Sequence, residues 1–294
     1  MWTERLRRAI NRCVTMLPAP LARALTRLTD RVRVLLLGPH VWALVVRNQF
    51  GLLLVETMDD SVGGGLRLQG VWQPECVNAL LQRTDRDSRV LVVGAHLGAL
   101  VLPLARKAHS VAAVEPNPIT LEYLTLNVRL NALDNVEIHP FAAGDRDGPV
   151  TFAADRHYTG GSHVTSPNLV YDGGQTLLVE VPMRRLDDVF RGRRFDVVLV
   201  DAEGSEPYVV EGAHAVLEDA QVLLIEIHPG LLRRVPQGDP RLLAAALARH
   251  FKWGVRLDGQ RPPSAWFSTD QLHEVIAAIF AEGFITDLLL VKTL

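Results

Sequence analysis

From position 89 onward, short apolar runs alternate with longer segments whose apolar residues recur at helical spacing. Residues 90–93 form a continuous apolar run that stops at Gly94, the pattern of a strand buried on both faces. Residues 97–107 then read as a helix, 110–114 as a second strand ending in Glu115, 119–130 as a second helix and 136–139 as a third strand. A hairpin-like insertion follows, with strands near 150–153 and 177–181. Residues 195–200 are a fourth strand ending in Asp201, 207–217 its helix, and 222–227 a fifth strand. Helices at 242–251 and 269–281 flank a strand near Val255, and 285–291 closes the chain as a strand. Strands alternating with helices of this length predict an α/β fold, a mostly parallel sheet covered on both faces.

The part before position 89 reads differently. Residues 34–37, 41–46 and 52–57 suggest short strands, Gly63-Gly64-Gly65 a turn, and Trp72-Gln73-Pro74-Glu75 the start of a helix with Pro74 in its first turn. In residues 1–33, Leu6, Ile10, Val14 and Leu17 recur at helical spacing beside Arg5, Arg7, Arg8 and Arg12. Further on come Arg23, Arg27, Arg31 and Arg33, and the only opposing acids are Glu4 and Asp30. Pro18 and Pro20 interrupt the helix. Three parts result: a basic helical extension at 1–33, strands and a helix at 34–88 packing on the core, and the main domain at 89–294. The basic segment reads as a surface helix, with peripheral contact to a membrane as the alternative. The apolar stretch 34–55 is too interrupted, by Pro39, His40, Arg47, Asn48 and Gln49, to read as a span.

Composition narrows the function. With 22% charged residues, a formal net charge of -2 and a pI near 6.6, the chain lacks the basic excess of a nucleic-acid binder. A small or neutral partner is expected, and oligomeric state is not legible. Cys13 and Cys76 form neither a CxxC pair nor a zinc spacing, which fits a cytoplasmic chain.

Ligands of such sheets bind beyond the carboxyl ends of the strands. Gly94, Glu115, Asp201 and His228 all fall there. Gly94-Ala95-His96-Leu97-Gly98 is a strand-to-helix turn through which backbone can approach a ligand closely. Glu115, at the end of the next strand, is placed to accept hydrogen bonds from both hydroxyls of a ribose. The pair reads as a nucleoside site. No GxGxxG stands at the turn, so a dinucleotide is disfavoured and a cofactor without phosphate fits better.

The order of motifs resembles FkbM-type methyltransferases from about Phe50 to the C-terminus. It is carried by Gly94-Ala95-His96-Leu97-Gly98, by Val114-Glu115-Pro116-Asn117-Pro118 with Asn127 and Asn131, and by Ala142-Ala143-Gly144-Asp145. It continues through Asp201-Ala202-Glu203-Gly204-Ser205-Glu206, Glu211-Gly212-Ala213 and Glu226-Ile227-His228-Pro229. The resemblance implies a class I methyltransferase fold: a Rossmann-like, seven-stranded sheet with helices on both faces and its last strand antiparallel, here preceded by a helical and β extension. It also implies S-adenosylmethionine as methyl donor and a hydroxyl oxygen, of a small molecule or saccharide, as acceptor. By residue it implies Gly94, Ala95, His96 and Gly98 at the methionine end, Glu115 with Pro116 and Asn117 on the ribose side, Ala143 or Asp145 near the adenine, and Asp201 beside the methyl group. Two positions depart from the family pattern. Val92 stands where an acid is usual, and His96 where Asn is usual. A chain that keeps the fold as a binding or scaffold protein without catalysis is the competing reading, and Val92 is its feature.

Methyl transfer from a sulfonium to oxygen asks the protein to position an acceptor and relieve it of a proton. Asp201, Glu203 and His228 are the catalytic candidates, and three readings of Asp201, Glu203, Glu226 and His228 stay open. Asp201 and His228 orient or deprotonate the acceptor, braced by Glu203 and Glu226. Alternatively, Asp, Glu and His hold a divalent cation, although the preferred reading of the site has no metal. In the third reading, the acids cap a helix and satisfy buried amides. The polar stretch 156–174, with His157, Tyr158 and His163, suggests a lid or acceptor loop. Arg233, Arg234 and Gln237 mark a second candidate loop or a solvated turn.

Overall fold

The computed structural model describes residues 32–165, 176–235, 237–257 and 264–294. The expectation for residues 1–31, including Cys13, therefore lies outside the described residues, as does the second half of the 156–174 stretch.

The apolar runs become the sheet. Five parallel strands are β3 (Arg89–Val93), β4 (Ser110–Val114), β5 (Val136–His139), β10 (Val197–Val200) and β11 (Val222–Ile227). They stand in the order β5-β4-β3-β10-β11. The chain passes outward from β3 to β5 and then crosses back to β10, so strand order reverses between β3 and β10. Beyond β11 lie β14 (Thr286–Val291) and β12 (Trp253–Leu257), β14 antiparallel to both of its neighbours. This is the class I methyltransferase arrangement, with one difference from expectation. A short strand β13 (Phe267–Ser268) extends the edge, giving eight strands rather than seven. Val197 to Val200 and Val222 to Ile227 are buried throughout because helices cover both faces. Two apolar clusters form, one on each side: Leu91, Val93 and Val198 point into one, Val90, Val92 and Leu199 into the other.

Several helices differ from the expected ones. The segment 97–107 is a turn followed by a short helix, α3 (Val101–Ala105). The segment 207–217 is two helices, α6 (Glu206–Glu211) and α7 (His214–Asp219), broken at Gly212 where the backbone packs on the Gly144 carbonyl. Residues 34–37 are helical rather than extended. Gly63, Gly64 and Gly65 do not make a turn but lie inside α1 (Val62–Gln69). Asp59 overrides their weak helix propensity by capping the helix: its two oxygens accept the N–H groups of Ser61 (2.9 Å) and Gly63 (2.7 Å). Helix α2 (Pro74–Gln82) begins at Pro74 as expected.

The N-terminal hairpin, β1 (Ala43–Asn48) and β2 (Gly51–Glu56), docks on α4 (Pro118–Leu130) through side chains that imitate a strand. Asn127 Oδ1 accepts the Leu54 N–H at 2.6 Å and its Nδ2 donates to the Leu54 carbonyl at 3.1 Å. Asn131, one helical turn on, repeats this with Leu52 at 2.9 and 2.6 Å. The period of the helix (i, i+4) thus matches the period of the strand (i, i+2) along one edge. Leu53 and Val55 point the other way, into a third apolar cluster with Leu66, Leu97 and Leu102.

The insertion is a four-stranded sheet of its own, ordered β6-β9-β7-β8. It contains β6 (Ala142–Ala143), β7 (Gly148–Asp155), β8 (His163–Thr165) and β9 (Thr176–Arg184), with the long β7–β9 hairpin as its centre. Short helices α5 (Leu186–Val189) and α8 (Pro229–Leu232), and the longer α9 (Pro240–Ala248) and α10 (Leu272–Glu282), complete the fold. No helix among the described residues is long and apolar enough to cross a membrane.

Candidate active site

A cavity of about 890 Å³, counted with its open mouth, lies beyond the carboxyl ends of β3, β4, β10 and β11, where the strand order reverses. Its floor is the turn after β3. Gly94 has φ +81, and a Cβ there would sit 1.7 Å from the Asp201 carbonyl oxygen. Only glycine lets the ends of β3 and β10 meet so closely. The N–H groups of Gly94 and Ala95 both donate to the Val114 carbonyl at 3.0 Å, pinning the turn to β4.

Glu115 completes that joint from the other side. It is buried, with one oxygen accepting the His96 N–H at 2.6 Å and the other accepting the Asn117 N–H at 2.9 Å and the Thr120 hydroxyl at 3.0 Å. Burial raises its carboxyl to about 7, against the pull of those three bonds. His96 sits at φ +51, and its Nε2 meets the Thr159 hydroxyl at 2.8 Å, tying the turn to the insertion. Burial depresses the His96 pKa to about 4, so the ring is neutral at pH 7. A second tie crosses the mouth: Gly160 N–H donates to the Ser61 hydroxyl at 3.1 Å. Val62, Trp72 and Gln73 line the cavity from the N-terminal part of the chain, and Ala142, Ala143, Phe152 and Pro116 give it an apolar lining.

The acids lie at the ends of β10 and β11. Asp201, Glu203 and Glu226 place oxygens within 4.8 Å of one another. The turn 201–205 is shaped by Glu206, fully buried, whose Oε1 accepts the N–H groups of Ala202 and Gly204 at 3.1 Å each. Glu203 stands at φ +45, a conformation that costs a non-glycine residue energy. Burial raises all three carboxyl groups, Asp201 to about 6 and Glu203 and Glu226 well above the usual range, with their mutual repulsion adding to the rise in the two glutamates.

Of the residues singled out by sequence, Gly94, Ala95, His96, Glu115, Pro116, Asn117, Ala143, Asp201 and Glu203 line this cavity. Gly98 lies behind it, its N–H on the Ala95 carbonyl. Two candidates are placed elsewhere. Asp145 pairs with Arg146 at 3.1 Å outside the cavity, because the chain turns away after Ala143 to pack Gly144 against Gly212. His228 caps α8, its Nδ1 accepting the Leu231 N–H at 3.3 Å, and is not part of the acid cluster. Glu226, which the sequence offers as a brace, as part of a cation site or as a partner of buried amides, lines the cavity. Arg233 stacks on Phe280 and donates to its carbonyl, so it serves packing. His157 lines a separate depression with Trp42 and Arg156. Thr159 carried no sequence signal, since it reaches His96 only through the fold of the insertion, while Gln73 was legible only as part of a helix start and Glu206 only as the last residue of the Asp201–Glu206 motif. Gln73 has φ +43 just before Pro74.

The cavity fits a nucleoside with a cationic end. Three polar atoms at its wall, His96 Nδ1, the donor Asn117 Nδ2 and the acceptor Glu226 Oε2, are buried without a hydrogen-bond partner. The apolar lining suits a planar base, and the acids suit positive charge.

Comparison with known proteins agrees with this geometry. The model of the FkbM methyltransferase domain matches residues 93–252. The hexuronic acid methyltransferase AglP of Haloferax volcanii is 26% identical over 159 residues, covering 54% of this chain and 64% of that protein. The chain thus spans less than two thirds of that relative's length. Two solved structures are similar at lower identity. The FkbM methyltransferase of Methylobacillus flagellatus is 17% identical (71% of this chain, 44% of that one, TM-score 0.39). TYW2 of M. jannaschii, solved with AdoMet, is 13% identical (86% and 87%, TM-score 0.40). The family match covers more than half of the chain and runs from the glycine turn through the acid cluster, so the chain belongs to the FkbM methyltransferase domain family, whose methyl donor is S-adenosylmethionine.

Proposed function

We propose that this chain transfers the methyl group of S-adenosylmethionine to a hydroxyl oxygen of a saccharide. One observation carries the reading: the glycine turn, Glu115 and the acids Asp201, Glu203 and Glu226 all face one cavity. The bound cofactor supplies a methyl group already activated by a sulfonium. The chain's own residues do the rest. Glu115 takes the ribose hydroxyls, helped by Asn117 Nδ2, and the apolar lining of Pro116, Ala142, Ala143 and Phe152 takes the adenine. The turn from Gly94 to Gly98 receives the methionine end. Asp201 and Glu203 orient the acceptor hydroxyl and take its proton as the O–C bond forms and the C–S bond breaks. Asp201, whose carboxyl burial raises to about 6, is suited to that exchange.

The relative named for hexuronic acid supports a sugar as acceptor, one rich in hydroxyls. Nothing in the cavity favours the scaffold reading: Val92 is fully buried in an apolar cluster and is not among the residues that line the cavity. The test is incubation with isotopically labelled S-adenosylmethionine and a panel of hexuronic acids, neutral hexoses and their oligosaccharides, with mass spectrometry of products. A labelled methyl ether on a sugar is expected. Cofactor binding with methyl transfer to a nitrogen or carbon acceptor instead would overturn the acceptor assignment; failure to bind the cofactor would overturn the reading as a whole.

A further inference from the structure

We infer that Asp201, Glu203 and Glu226 form a binding site for one hard divalent cation, of the Mg²⁺, Mn²⁺ or Ca²⁺ class. Three observations converge. The first is geometric. Oxygens of the three side chains all lie within 4.8 Å of one another. Two oxygens on opposite sides of a cation, each at about 2.1–2.4 Å, are themselves about 4.2–4.8 Å apart. The separations in the cluster are thus compatible with one shared cation.

The second is an unmet requirement. Glu226 is 6% exposed, lines the cavity, and its Oε2 has no hydrogen-bond partner. The charged groups that bear on it are Asp201, Glu203, Asp287 and Glu206, all acids. Neither Lys nor Arg is among the described residues that line the cavity. Facing carboxyl groups in a desolvated place are stabilised by shared protons or by a cation between them. A bound dication does this and satisfies the orphaned oxygen directly.

The third is how the cluster is built. Asp201 and Glu203 stand on the short turn that Glu206 holds from below through two backbone N–H groups. Glu226 arrives from the neighbouring strand β11, which pairs with β10. Two rigid strand ends thus present three oxygens to one point, leaving the cavity side open for water or a ligand oxygen. The donor set is all oxygen, since His228 is occupied as a helix cap, and oxygen-only sets favour hard cations over zinc or copper.

Binding of the cation does not depend on the methyl-transfer reading; its role does. On that reading, the cation takes the acceptor hydroxyl on its open side and acidifies it, so that its proton passes to a cavity carboxylate or to water as the O–C bond forms.

The test separates the two. Chelator-treated full-length chain is titrated with Mn²⁺ by electron paramagnetic resonance and with Mg²⁺ by calorimetry, and S-adenosylmethionine is titrated separately. One Mn²⁺ per chain is expected, competed by Mg²⁺. Glu226→Gln and, on the cavity-facing turn, Glu203→Gln should each weaken Mn²⁺ at least tenfold while S-adenosylmethionine still binds. Absence of stoichiometric Mn²⁺ binding, or binding unchanged in both variants, overturns the site. Loss of Mn²⁺ binding only when cofactor is present would show that in the complex the acids serve the cofactor's own positive charge, which leaves the site standing and removes the catalytic role. Mn²⁺ binding by a chain that fails to bind S-adenosylmethionine would leave the site standing and remove the methyl-transfer reading. Methyl transfer undiminished in excess chelator would remove the catalytic role.

Discussion

The carboxylate of Glu115 accepts the backbone N–H of His96 at 2.6 Å, joining the end of β4 to the turn that follows β3. Glu115 is therefore both a wall of the cavity and a part of its frame. Its Oε1 is committed to Asn117 and Thr120, and Oε2 keeps one acceptor position beyond His96. Glu115→Gln retains an acceptor for part of this frame but loses the charge-assisted bonds to a ribose. We expect affinity for S-adenosylmethionine to fall at least about tenfold in that variant, with thermal stability nearly kept. Glu115→Ala should lose both. Calorimetry together with a thermal melt distinguishes the two variants, and unchanged affinity in Glu115→Gln would remove Glu115 from the ribose.

Two glycines with nearly the same backbone make a controlled comparison. Gly94 (φ +81) and Gly192 (φ +77) both pay a side chain's left-handed penalty on substitution by alanine, about 1–2 kcal/mol. Around Gly192 nothing lies within 4 Å, whereas at Gly94 the new Cβ would stand 1.7 Å from the Asp201 carbonyl oxygen. Gly192→Ala should cost only that penalty. Gly94→Ala must also push β3 and β10 apart and is expected to abolish cofactor binding and cut folded yield severely. Comparable melting temperatures for the two variants would contradict the close approach seen at Gly94.

These relationships mark how far sequence alone reaches. The strands of the main sheet could be read because a parallel strand buried on both faces needs an unbroken apolar run, and Val222 to Ile227 is one from end to end. Glu115 and Asp201 could be placed because strand ends are where such folds bind ligands. What escaped depends on contacts distant in the chain. Gly63 to Gly65 look like a turn until Asp59 caps them as a helix. The run 207–217 looks like one helix until Gly144 presses on Gly212. His228 looks like a partner for Asp201, being two positions from Glu226, until its ring turns to cap α8. Asp145 follows Ala143 by two residues, yet the packing of Gly144 takes it out of the cavity.

Asn127 is the point at which the hairpin, helix α4 and the glycine turn meet. Besides its two bonds to Leu54, its Nδ2 donates to the Leu97 carbonyl at 2.8 Å. Asn127→Ala leaves the Leu54 N–H and two carbonyls without partners, at roughly 1–3 kcal/mol each. Asn131→Ala loosens the Leu52 end of the same pairing but leaves Leu97 alone. In hydrogen exchange, the Leu52 amide should lose protection in Asn131→Ala and both the Leu52 and Leu54 amides in Asn127→Ala. Cofactor affinity should fall only in Asn127→Ala. Equal affinities in the two variants would show that the Leu97 contact does not shape the turn.

Glu206 sets a pH dependence whose direction is unusual for a carboxyl group. It is wholly buried, and burial raises it from 4.5 to about 7 despite the N–H groups of Ala202 and Gly204. Between those values the folded chain binds a proton that the unfolded chain has released. Stability then falls as pH rises, the reverse of a salt-bridged acid. Asp201, Glu115 and Asp287, raised to about 6, 7 and 7, act in the same sense. His96, depressed to about 4, acts oppositely but only below its ordinary value of 6.5. His139, His228 and His250, also lowered by burial, act like His96, so the window to examine is pH 7 to 8, where these histidines are largely neutral both folded and unfolded. Without cofactor, the melting temperature should decline across it. A full proton's difference is worth about 1.4 kcal/mol per pH unit, and each kcal/mol about 2–4 °C in a chain of this size. Glu206→Gln keeps an acceptor for the turn, removes one titrating group and should make the decline measurably shallower. A melting temperature that rises across this window in the unsubstituted chain would show that these acids are ionised when folded.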